Sequence, residues 1–171
     1  VCTTTDYTFI ISENLKIVAN IKAKPPTKYT VEYYLANIES GYTMVESVEL
    51  YGITDTIAFA EQKAFEHFAL WTGSSTILSG NIAGDGSLVL KLYYTRNSYD
   101  IYTNTNNNKG GDYEQICATY YYGVTIPLTA TTNPGYTFLG WYEGDTLVCE
   151  TTDFTVIVEK NVTYTAKWEA N

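Results

Sequence analysis

Residues 148–171 read VCETTDFTVIVEKNVTYTAKWEAN, and this stretch decides how the chain is built, because residues 1–24 repeat it as VCTTTDYTFIISENLKIVANIKAK. The two copies align without a gap, and ten of the 24 positions are identical. We therefore expect the chain to be one period of a tandem array, preceded by the last piece of another period. The period exceeds the roughly 20–50 residues of a solenoid repeat, so it should hold one or two whole globular modules. Arrays of small modules are typical of structural and binding proteins.

The repeated stretch has the period-two pattern of β-strands in both copies. In the second copy, apolar side chains at every other position begin at Phe154, pass a turn at Glu159–Asn161 and resume at Val162. Such alternation predicts strands with one inward face. We interpret residues 148–171 as a closing hairpin and residues 1–24 as the same hairpin of a preceding module. An exposed apolar hairpin aggregates, so we expect residues 1–24 to be covered by the next module or by a neighbouring chain.

The rest of the chain indicates further short strands and two junctions. Ser87–Thr95 (SLVLKLYYT) is the strongest strand, whereas Glu61–Phe68 could be one helical turn or an irregular crossover. Junctions are predicted at Pro25-Pro26, because proline restricts the backbone and cannot donate to a ladder, and at Arg96–Ser98. The resulting segments are a remnant hairpin at 1–24, a module at 25–97 and a module at 98–171. The other predicted strands are Tyr29–Ala36, Tyr42–Leu50, Thr56–Ala60, Tyr99–Thr103, Tyr113–Tyr121, Val124–Ala130, Tyr136–Tyr142 and Leu147–Cys149.

The composition is that of thin β-rich modules. Seventeen of the 171 residues are Tyr, a residue that suits half-buried pleated surfaces. The rings either cover small cores or form an aromatic contact surface for a glycan or a protein, because Tyr joins an apolar body to a polar tip. The net charge of −9 disfavours a nucleic acid or an anionic membrane as partner, and no apolar run is long enough to span a bilayer.

Two blocks of the chain resemble known repeat families. The first begins YTVEYYLANIESGYTMVESVEL and ends ILSGNIAGDGSLVLKLYYTRN. Through its Val-x-Tyr-Tyr strand, its Gly-x-Ile-x-x-Asp-Gly turn and its closing Tyr-Tyr-Thr-Arg, it resembles the mucin-binding-protein (MucBP-like) repeats of Gram-positive surface proteins. The second block, YYGVTIPLTATTNPGYTFLGWYEGDTLV followed by TYTAKW, resembles the B-repeats of Listeria internalins and the related Listeria–Bacteroides repeats.

The resemblance implies one β-grasp-like module for each block, on a secreted, wall-anchored surface protein. Such modules serve as stalk, spacer or binding repeat, and the resemblance does not imply catalysis. The chain departs from the usual pattern in carrying cysteines and in the Asn-rich loop Asn104–Gly111, which we interpret as a solvated turn.

The string PGYTFLGWY predicts a tight turn at Pro134-Gly135 followed by a packed aromatic strand. On strict alternation Phe138 and Trp141 face opposite ways. Trp141 is therefore either a core residue or an exposed platform for a ligand. The candidate aromatic contact surface consists of Tyr120, Tyr121, Trp141 and Tyr142.

No arrangement of catalytic or metal-binding residues is evident in the sequence. His67 is the only histidine, so neither a Ser/His/Asp relay nor a zinc site can be argued around it. We interpret it as a surface or structural residue. The acidic pair Glu143 and Asp145 lies in a turn and is interpreted as solvated charge. We therefore predict a segment that is not an enzyme and has no catalytic residues, no cofactor and no metal.

The three cysteines suggest one disulfide. Cys117 and Cys149 fall in the same predicted module, and Cys2 is the repeat equivalent of Cys149. A Cys117–Cys149 bond would leave Cys2 unpaired or paired between chains, which explains an odd count in an exported protein. The alternative is three reduced, buried cysteines that behave as small apolar residues.

Together these observations predict a mainly β protein with two small β-grasp-like modules in tandem. The expected function is that of a non-catalytic extracellular segment of a bacterial cell-surface protein, wall-anchored or secreted, acting as adhesin stalk, spacer or binding module. Its expected partners are neighbouring repeats of the chain and a host glycan, mucin or protein ligand, with no nucleic acid or membrane contact. The alternatives are a glycan- or mucin-binding module and an accessory module of a secreted carbohydrate-active enzyme. Contiguous exposed aromatic side chains would favour binding.

Overall fold

The structure is a computed structural model that describes residues 26–171. Its regular elements in that range are thirteen β-strands, without a helix, so the prediction of a mainly β protein is confirmed. Accordingly, no helix in the described range is long and apolar enough to cross a membrane. The remnant hairpin and cover predicted for residues 1–24, and the predictions for Cys2, lie outside the described residues.

Buried apolar side chains form two separate clusters. The buried residues of one cluster lie between positions 31 and 94, and those of the other lie between positions 101 and 168. We call residues 26–96 the N-terminal lobe and residues 98–171 the C-terminal lobe. The predicted division into independent domains at 25–97 and 98–171 remains a prediction, because two clusters do not show that either lobe folds alone.

The N-terminal lobe is a four-stranded sheet packed against a two-stranded ribbon. Its strands are β1 (Thr27–Ala36), β2 (Tyr42–Gly52), β3 (Ile57–Phe59), β4 (Phe68–Leu70), β5 (Ser79–Asn81) and β6 (Val89–Arg96). The sheet has the order β2-β1-β6-β4, and β3 pairs with β5 in the ribbon. Strand β1 is parallel to β6 and antiparallel to β2, and β4 is antiparallel to β6.

Alternation along β6 builds the core of this lobe. Leu90 and Leu92 are fully buried, as the alternation predicted, and they lie opposite Val31 and Tyr33 in the parallel register with β1. Ala58 of the ribbon joins the same cluster. Removal of this apolar surface from water is the main stabilising term for a domain of this kind.

The C-terminal lobe repeats the plan with five strands in its sheet. Its strands are β7 (Ser98–Thr105), β8 (Cys117–Tyr121), β9 (Thr125–Leu128), β10 (Tyr136–Glu143), β11 (Thr146–Cys149), β12 (Phe154–Ile157) and β13 (Val162–Ala170). The sheet has the order β11-β10-β13-β7-β8, and β9 pairs with β12 in the ribbon. Strands β7 and β13 are parallel, and the other neighbours are antiparallel. Trp141 and Trp168 are buried between sheet and ribbon.

Both sheets place the first and last strands of the lobe side by side and parallel, which is the β-grasp strand order. Where a β-grasp sheet usually carries a helix, each lobe here carries an extended ribbon. The ambiguous segment Glu61–Phe68 is an irregular crossover rather than a helical turn. Two buried tyrosines hold it, since Tyr33 Oη donates to the Glu61 carbonyl at 2.8 Å and the Lys63 amide donates to Tyr94 Oη at 3.0 Å.

The closing hairpin predicted for residues 148–171 is wrong in its pairing, although both strands exist. Strand β12 pairs with β9 in the ribbon, whereas β13 pairs with β10 and β7 in the sheet. Val156 and Val158 are buried in the core that the two layers share. The turn after Val158 therefore carries the chain from one layer to the other, an arrangement that alternation alone cannot distinguish from a hairpin.

Strand β10 departs from the predicted alternation at a β-bulge. Its register against β13 shifts between Phe138 and Gly140, which leaves Leu139 as the extra residue. Phe138 and Trp141 therefore both pack on the core, where strict alternation placed them on opposite faces. Gly140 is required here, because its φ is +125° and a Cβ would collide with the carbonyl of Cys149.

The predicted Cys117–Cys149 disulfide is also wrong. Both thiols are free, and they lie on β8 and β11, the two opposite edges of the sheet. Four strand spacings place them roughly 19 Å apart, whereas a disulfide requires Cα atoms within about 7 Å. The alternative of buried thiols fails for Cys117, which is exposed, while Cys149 is half-buried.

Candidate functional site

The two lobes meet where β6 runs into β7, with Asn97 as the one residue between the strands. The Asn97 amide donates to the His67 carbonyl at 2.8 Å, and its carbonyl accepts from the Tyr122 amide at 2.9 Å. We call the contact formed by His67, Arg96, Asn97, Tyr122 and Gly123 the joint. A one-residue connection with both backbone groups bonded has little freedom to bend, so the joint should be stiff.

Arg96 spans the joint with its guanidinium group. Its Nε donates to the Ala36 carbonyl in the N-terminal lobe, and its Nη1 donates to the Tyr122 carbonyl in the C-terminal lobe, both at 2.9 Å. The same group lies 5.1 Å from the ring centre of Phe68 and 5.7 Å from that of Tyr122. Lys could not make these contacts together, because they need a flat cation with several fixed donors.

His67 reaches across the joint from a strained turn. Its φ of 63° lies in the left-handed region, which is uncommon for a residue other than glycine. The ring stacks on Tyr122 with centres 4.0 Å apart, and Nδ1 lies 2.9 Å from Tyr99 Oη. Both partners belong to the C-terminal lobe. The lone histidine is thus a structural residue, and nothing in its sequence neighbourhood signals this contact.

Gly123 allows the lobes to approach closely. Its φ is +84°, and an added Cβ would lie 2.9 Å from Arg96 Nη1 and 3.6 Å from Ile38 Cδ1. Its amide donates to the Val158 carbonyl at 2.8 Å. A side chain at this position would displace the guanidinium from the Tyr122 carbonyl, so glycine is needed for both conformation and contact.

A cleft of about 260 Å³ opens beside the joint. The turn Asn37–Gly41 lines one side of it, and Arg96 and Tyr121 line the other. Tyr121 is 60% exposed and Ile38 is 51% exposed. Within residues 26–171, no buried side-chain polar atom lacks a hydrogen-bond partner. The cleft therefore has no buried polar side-chain atom left unpaired in its lining.

The predicted aromatic contact surface does not form. Trp141 is 0% exposed and its Nε1 donates to the Thr152 carbonyl at 3.2 Å, so it is a core residue. Tyr120 packs against the core while its neighbour Tyr121 is exposed, because adjacent residues of a strand face opposite ways. Tyr142 lies on β10, with two strands between it and β8.

An aromatic row that the sequence analysis missed lies on the face of the N-terminal sheet away from its core. Tyr34 and Tyr93 stack with ring centres 4.7 Å apart, and Tyr42 meets Tyr93 edge-on at 4.9 Å. We call Tyr34, Tyr42 and Tyr93 the aromatic row. Its signal in the sequence is the doublets Tyr33-Tyr34 and Tyr93-Tyr94, since one member of each pair must face away from the core.

Tyr34 is tied to an acidic neighbour on the same face. Its hydroxyl donates to Glu32 Oε2 at 2.6 Å. This hydrogen bond, with smaller contributions from desolvation and from the Glu32 charge, raises the pKa of Tyr34 to about 12. Lys91 Nζ lies 3.6 Å from the same carboxylate. The aromatic row therefore borders a small charged network rather than an apolar pocket.

The remaining candidate residues form ordinary surface contacts. In the part of the chain that the structure describes, no three His, Cys, Asp or Glu side chains could hold a metal ion together. Glu143 pairs with Lys160 at 2.6 Å, and Asp145 lies 3.9 Å from Lys167. Such exposed pairs contribute little to stability, because water and salt screen them.

The C-terminal lobe matches a known family. Residues 101–171 match the model of the divergent InlB B-repeat domain. The C-terminal lobe is similar to a B-repeat. The match runs from within β7 to the end of β13, and it confirms the resemblance drawn from PGYTFLGWY and TYTAKW.

No curated protein matches the chain. Among solved structures, the type 2 repeat of the mucus binding protein MUB from Lactobacillus reuteri covers 85% of this chain and 100% of its own, with 9% sequence identity and a TM-score of 0.30. At this TM-score the superposition does not establish a common arrangement of strands.

Proposed function

We propose that this segment is a non-catalytic spacer that carries tension in a bacterial cell-surface protein, outside the cell. One observation carries the proposal. In each lobe the first and last strands are parallel neighbours, so the chain enters at one end of the sheet and leaves at the opposite end. The match of residues 101–171 to a repeat domain supports a setting within an array of modules.

Tension along the chain would act on these strand pairs in shear. Residues 30–35 of β1 pair with residues 89–94 of β6, and residues 101–105 of β7 pair with residues 162–166 of β13. A pull through the chain ends drives the paired strands past each other along their length. All the hydrogen bonds between them then resist together, whereas a pull across the ladder breaks them one after another. The geometry therefore suits a module that must stay folded under load.

The joint supports the same role. Because Asn97 is the only residue between β6 and β7, tension passes from one sheet into the next with no slack segment. Arg96 and His67 add contacts that resist bending at this point. A spacer made of such lobes would hold its two ends apart rather than collapse.

Single-molecule force spectroscopy on the whole chain tests the proposal through two pulling directions. Handles at Ser98 and Asn171 load β7 against β13 in shear, whereas handles at Ser98 and Tyr121 pull on two residues that face each other at one end of the β7–β8 ladder. We expect the first rupture in the shear direction to need several times the force of the other. Handles at Thr27 and Arg96, against Thr27 and Gly52, give the matched comparison for the N-terminal lobe. Equal rupture forces in the two directions would contradict the spacer role.

The extracellular placement has its own test. Antibody raised against this segment should label intact cells that produce the full protein, and external protease should remove the label. Labelling that appears only after the cells are permeabilised would contradict an extracellular spacer.

A second candidate function is glycan binding at the aromatic row, which would make the segment a binding module. The observation that favours it is the exposure of Tyr42, 37%, beside the stacked rings of Tyr34 and Tyr93. Aromatic faces with polar neighbours suit the apolar and hydroxyl surfaces of a sugar. A glycan array tests this candidate: binding should be lost with Tyr42→Ser and kept with Tyr121→Ser, a matched change on the other lobe. An array without any bound glycan would exclude it.

A further inference from the structure

The leading end of the N-terminal lobe, where β1 begins, exposes three large apolar side chains. Tyr51, Ile53 and Ile57 are 65%, 72% and 63% exposed, and we call them the leading patch. They lie at the end of β2, in the turn that follows it and at the start of β3. Thr27, the first residue of β1, has its hydroxyl 2.7 Å from that of Thr54 in this turn. All three side chains therefore lie near the point where the chain enters the lobe, and exposed apolar side chains at such a place favour an interaction surface.

The repeat in the sequence specifies which neighbour lies next to this end. Residues 1–24 repeat residues 148–171, and only Pro25 and Pro26 separate them from Thr27. In the described copy, residues 148–171 include β12 and β13, the last strands of the C-terminal lobe. In an array with this period, the end of one C-terminal lobe is thus followed within about 10 Å of extended chain by the leading end of the next N-terminal lobe. A lobe tethered so closely lies within reach of this end at a high local concentration.

The trailing end of the C-terminal lobe, where β13 ends, is a fixed polar surface. The side chain of Asn106 bonds the backbone of Trp168 in both directions, accepting from its amide at 2.8 Å and donating to its carbonyl at 3.1 Å. Asn133 Nδ2 donates to the Lys109 carbonyl at 3.0 Å. The Asn-rich loop is therefore held beside the end of β13. It carries Lys109, for which no ion pair occurs among residues 26–171.

The leading end offers the opposite charge. Asp55 lies in the turn after Ile53. Asp85 lies in the turn next to Gly86, where an added Cβ would lie 3.5 Å from the carbonyl oxygen of Lys28 on β1. Neither carboxylate forms an ion pair within the described residues. Hydrogen bonds from Ser87, from its side chain first and from its backbone second, lower the pKa of Asp85, so this group is ionised at neutral pH.

We propose that the leading patch, with Asp55 and Asp85, docks the trailing end of a second copy of residues 98–171, the C-terminal lobe of the preceding repeat, with Lys109 of that copy facing the two carboxylates. This inference rests on the proposed spacer function, because it adds a second fixed contact to the array. Along the array, the joint at Asn97 then alternates with a docked contact around Pro25-Pro26. Apolar contact supplies the attraction and the charges orient the lobes.

A two-repeat chain, in which residues 25–171 follow Asn171, tests the docking, because a complete C-terminal lobe then precedes a second N-terminal lobe. Spin labels on non-natural residues at Glu150 of the first copy and Ser47 of the second report the distance between the two lobes by pulsed electron paramagnetic resonance. We expect one narrow distance distribution. Ile53→Ser in the second copy should widen it about twofold, towards that of flexibly linked lobes. Ile77→Ser, at a site 43% exposed on the same lobe, is the matched control and should leave the width unchanged.

The charges are tested by a pair of neutral substitutions. Lys109→Gln in the first copy and Asp85→Asn in the second should each widen the distribution, and the double variant should be no wider than either. Asp85→Asn keeps an oxygen that accepts from the Ser87 amide, 2.9 Å away, so the turn is preserved. Increases in width that add independently would show that Lys109 and Asp85 do not pair with each other.

Two outcomes overturn the docking itself. The first is a wild-type distance distribution as wide as that of the Ile53→Ser variant. The second is dimerisation of the two-repeat chain that Ile53→Ser abolishes, because the leading patch would then bind a second chain. The rupture force in shear, measured on the same chain, is independent of both. Strong shear with a wide distribution refutes the docking alone, whereas weak shear with a narrow distribution refutes the spacer function and leaves the docking in place.

Discussion

The two lobes use different aromatic residues to hold an extended crossover against the sheet. Each has a sheet without a helix to cover it, and each fixes an extended crossover above that sheet. In the N-terminal lobe the buried rings are Tyr33 and Tyr94, whose hydroxyls bond the crossover at Glu61 and Lys63. In the C-terminal lobe the indole of Trp141 bonds the Thr152 carbonyl. A buried ring with a polar tip can thus hold an irregular segment where regular structure is absent.

The lobes differ in how completely they bury their apolar side chains. Ten exposed large apolar residues fall between residues 38 and 77 of the N-terminal lobe, against five in the C-terminal lobe. The Trp-based core of the C-terminal lobe also takes in more buried residues. We infer that the N-terminal lobe is the less stable of the two and depends more on its neighbours.

Trp168→Ala should destabilise the C-terminal lobe by about 3–5 kcal/mol, because it leaves a large cavity beside Phe138. Amide hydrogen exchange, read separately for each lobe, measures this change. The N-terminal lobe should keep its protection, since its core is a separate cluster. Tyr121→Ala, at an exposed site, is the control and should change stability by less than about 0.5 kcal/mol. Equal loss of protection in both lobes would contradict the predicted division into domains.

Gly123→Ala should destabilise the protein more than Gly135→Ala. Both glycines have a positive φ, +84° and +87°, so both substitutions introduce strain of about 1–2 kcal/mol. A Cβ at Gly135 meets nothing within 4 Å, whereas one at Gly123 displaces Arg96. The difference, about 1–2 kcal/mol, isolates the charged hydrogen bond across the joint. Urea unfolding followed by circular dichroism measures it, and equal values would show that the joint adds no stability.

Tyr94→Phe should destabilise the N-terminal lobe by about 1 kcal/mol, because the Lys63 amide loses its acceptor. Tyr93→Phe, the adjacent change on the aromatic row, keeps the stacked ring and should have almost no effect. Urea unfolding of the two variants compares them directly. If the two changes are equal, the hydroxyl of Tyr94 does not hold the crossover.

The smallest effect concerns the ionisation of Tyr34. Its pKa is raised from 10.0 to about 12, chiefly by its hydrogen bond to Glu32. A raised pKa in the folded state stabilises the protein below pH 10, and this contribution is lost as the pH rises towards 12. Nuclear magnetic resonance of ring-labelled tyrosine should show Tyr34 titrating late, and Glu32→Gln should return it towards pH 10. An unchanged titration in the variant would assign the shift to burial instead.

The sequence predicts most of the strands, because alternation is a local property, but it misses the three-residue strands β4 and β5, which are too short to show a period. Leu90 and Leu92 lie in the core as the pattern along β6 predicts. The pairing of β12 with β9 was not predictable in the same way, because it depends on which layer each strand joins. The prediction of a Cys117–Cys149 disulfide failed for the same reason, because the distance between the two cysteines depends on the order of five strands in the sheet.

The contacts of the joint could not be predicted from the sequence, although the sequence places a junction at Arg96–Ser98. Its parts come from segments far apart in the chain, and His67 acquires its role only when Tyr99 and Tyr122 lie beside it. The β-bulge at Leu139 is a feature that the sequence predicts only in part. Gly140 indicates an irregularity in the strand but does not fix its position. A single inserted residue moves every later side chain of the strand to the opposite face of the sheet.

The parallel placement of first and last strands also has a consequence for how such a protein changes over generations. A lobe that is crossed from end to end adds about 30 Å of reach, the length of a nine- or ten-residue strand. Loss or gain of a whole period by recombination between similar coding segments would lengthen or shorten the protein in fixed steps. Neither a core nor a joint would need to be redesigned. Reach could thus be tuned by copy number while every folded part stays the same.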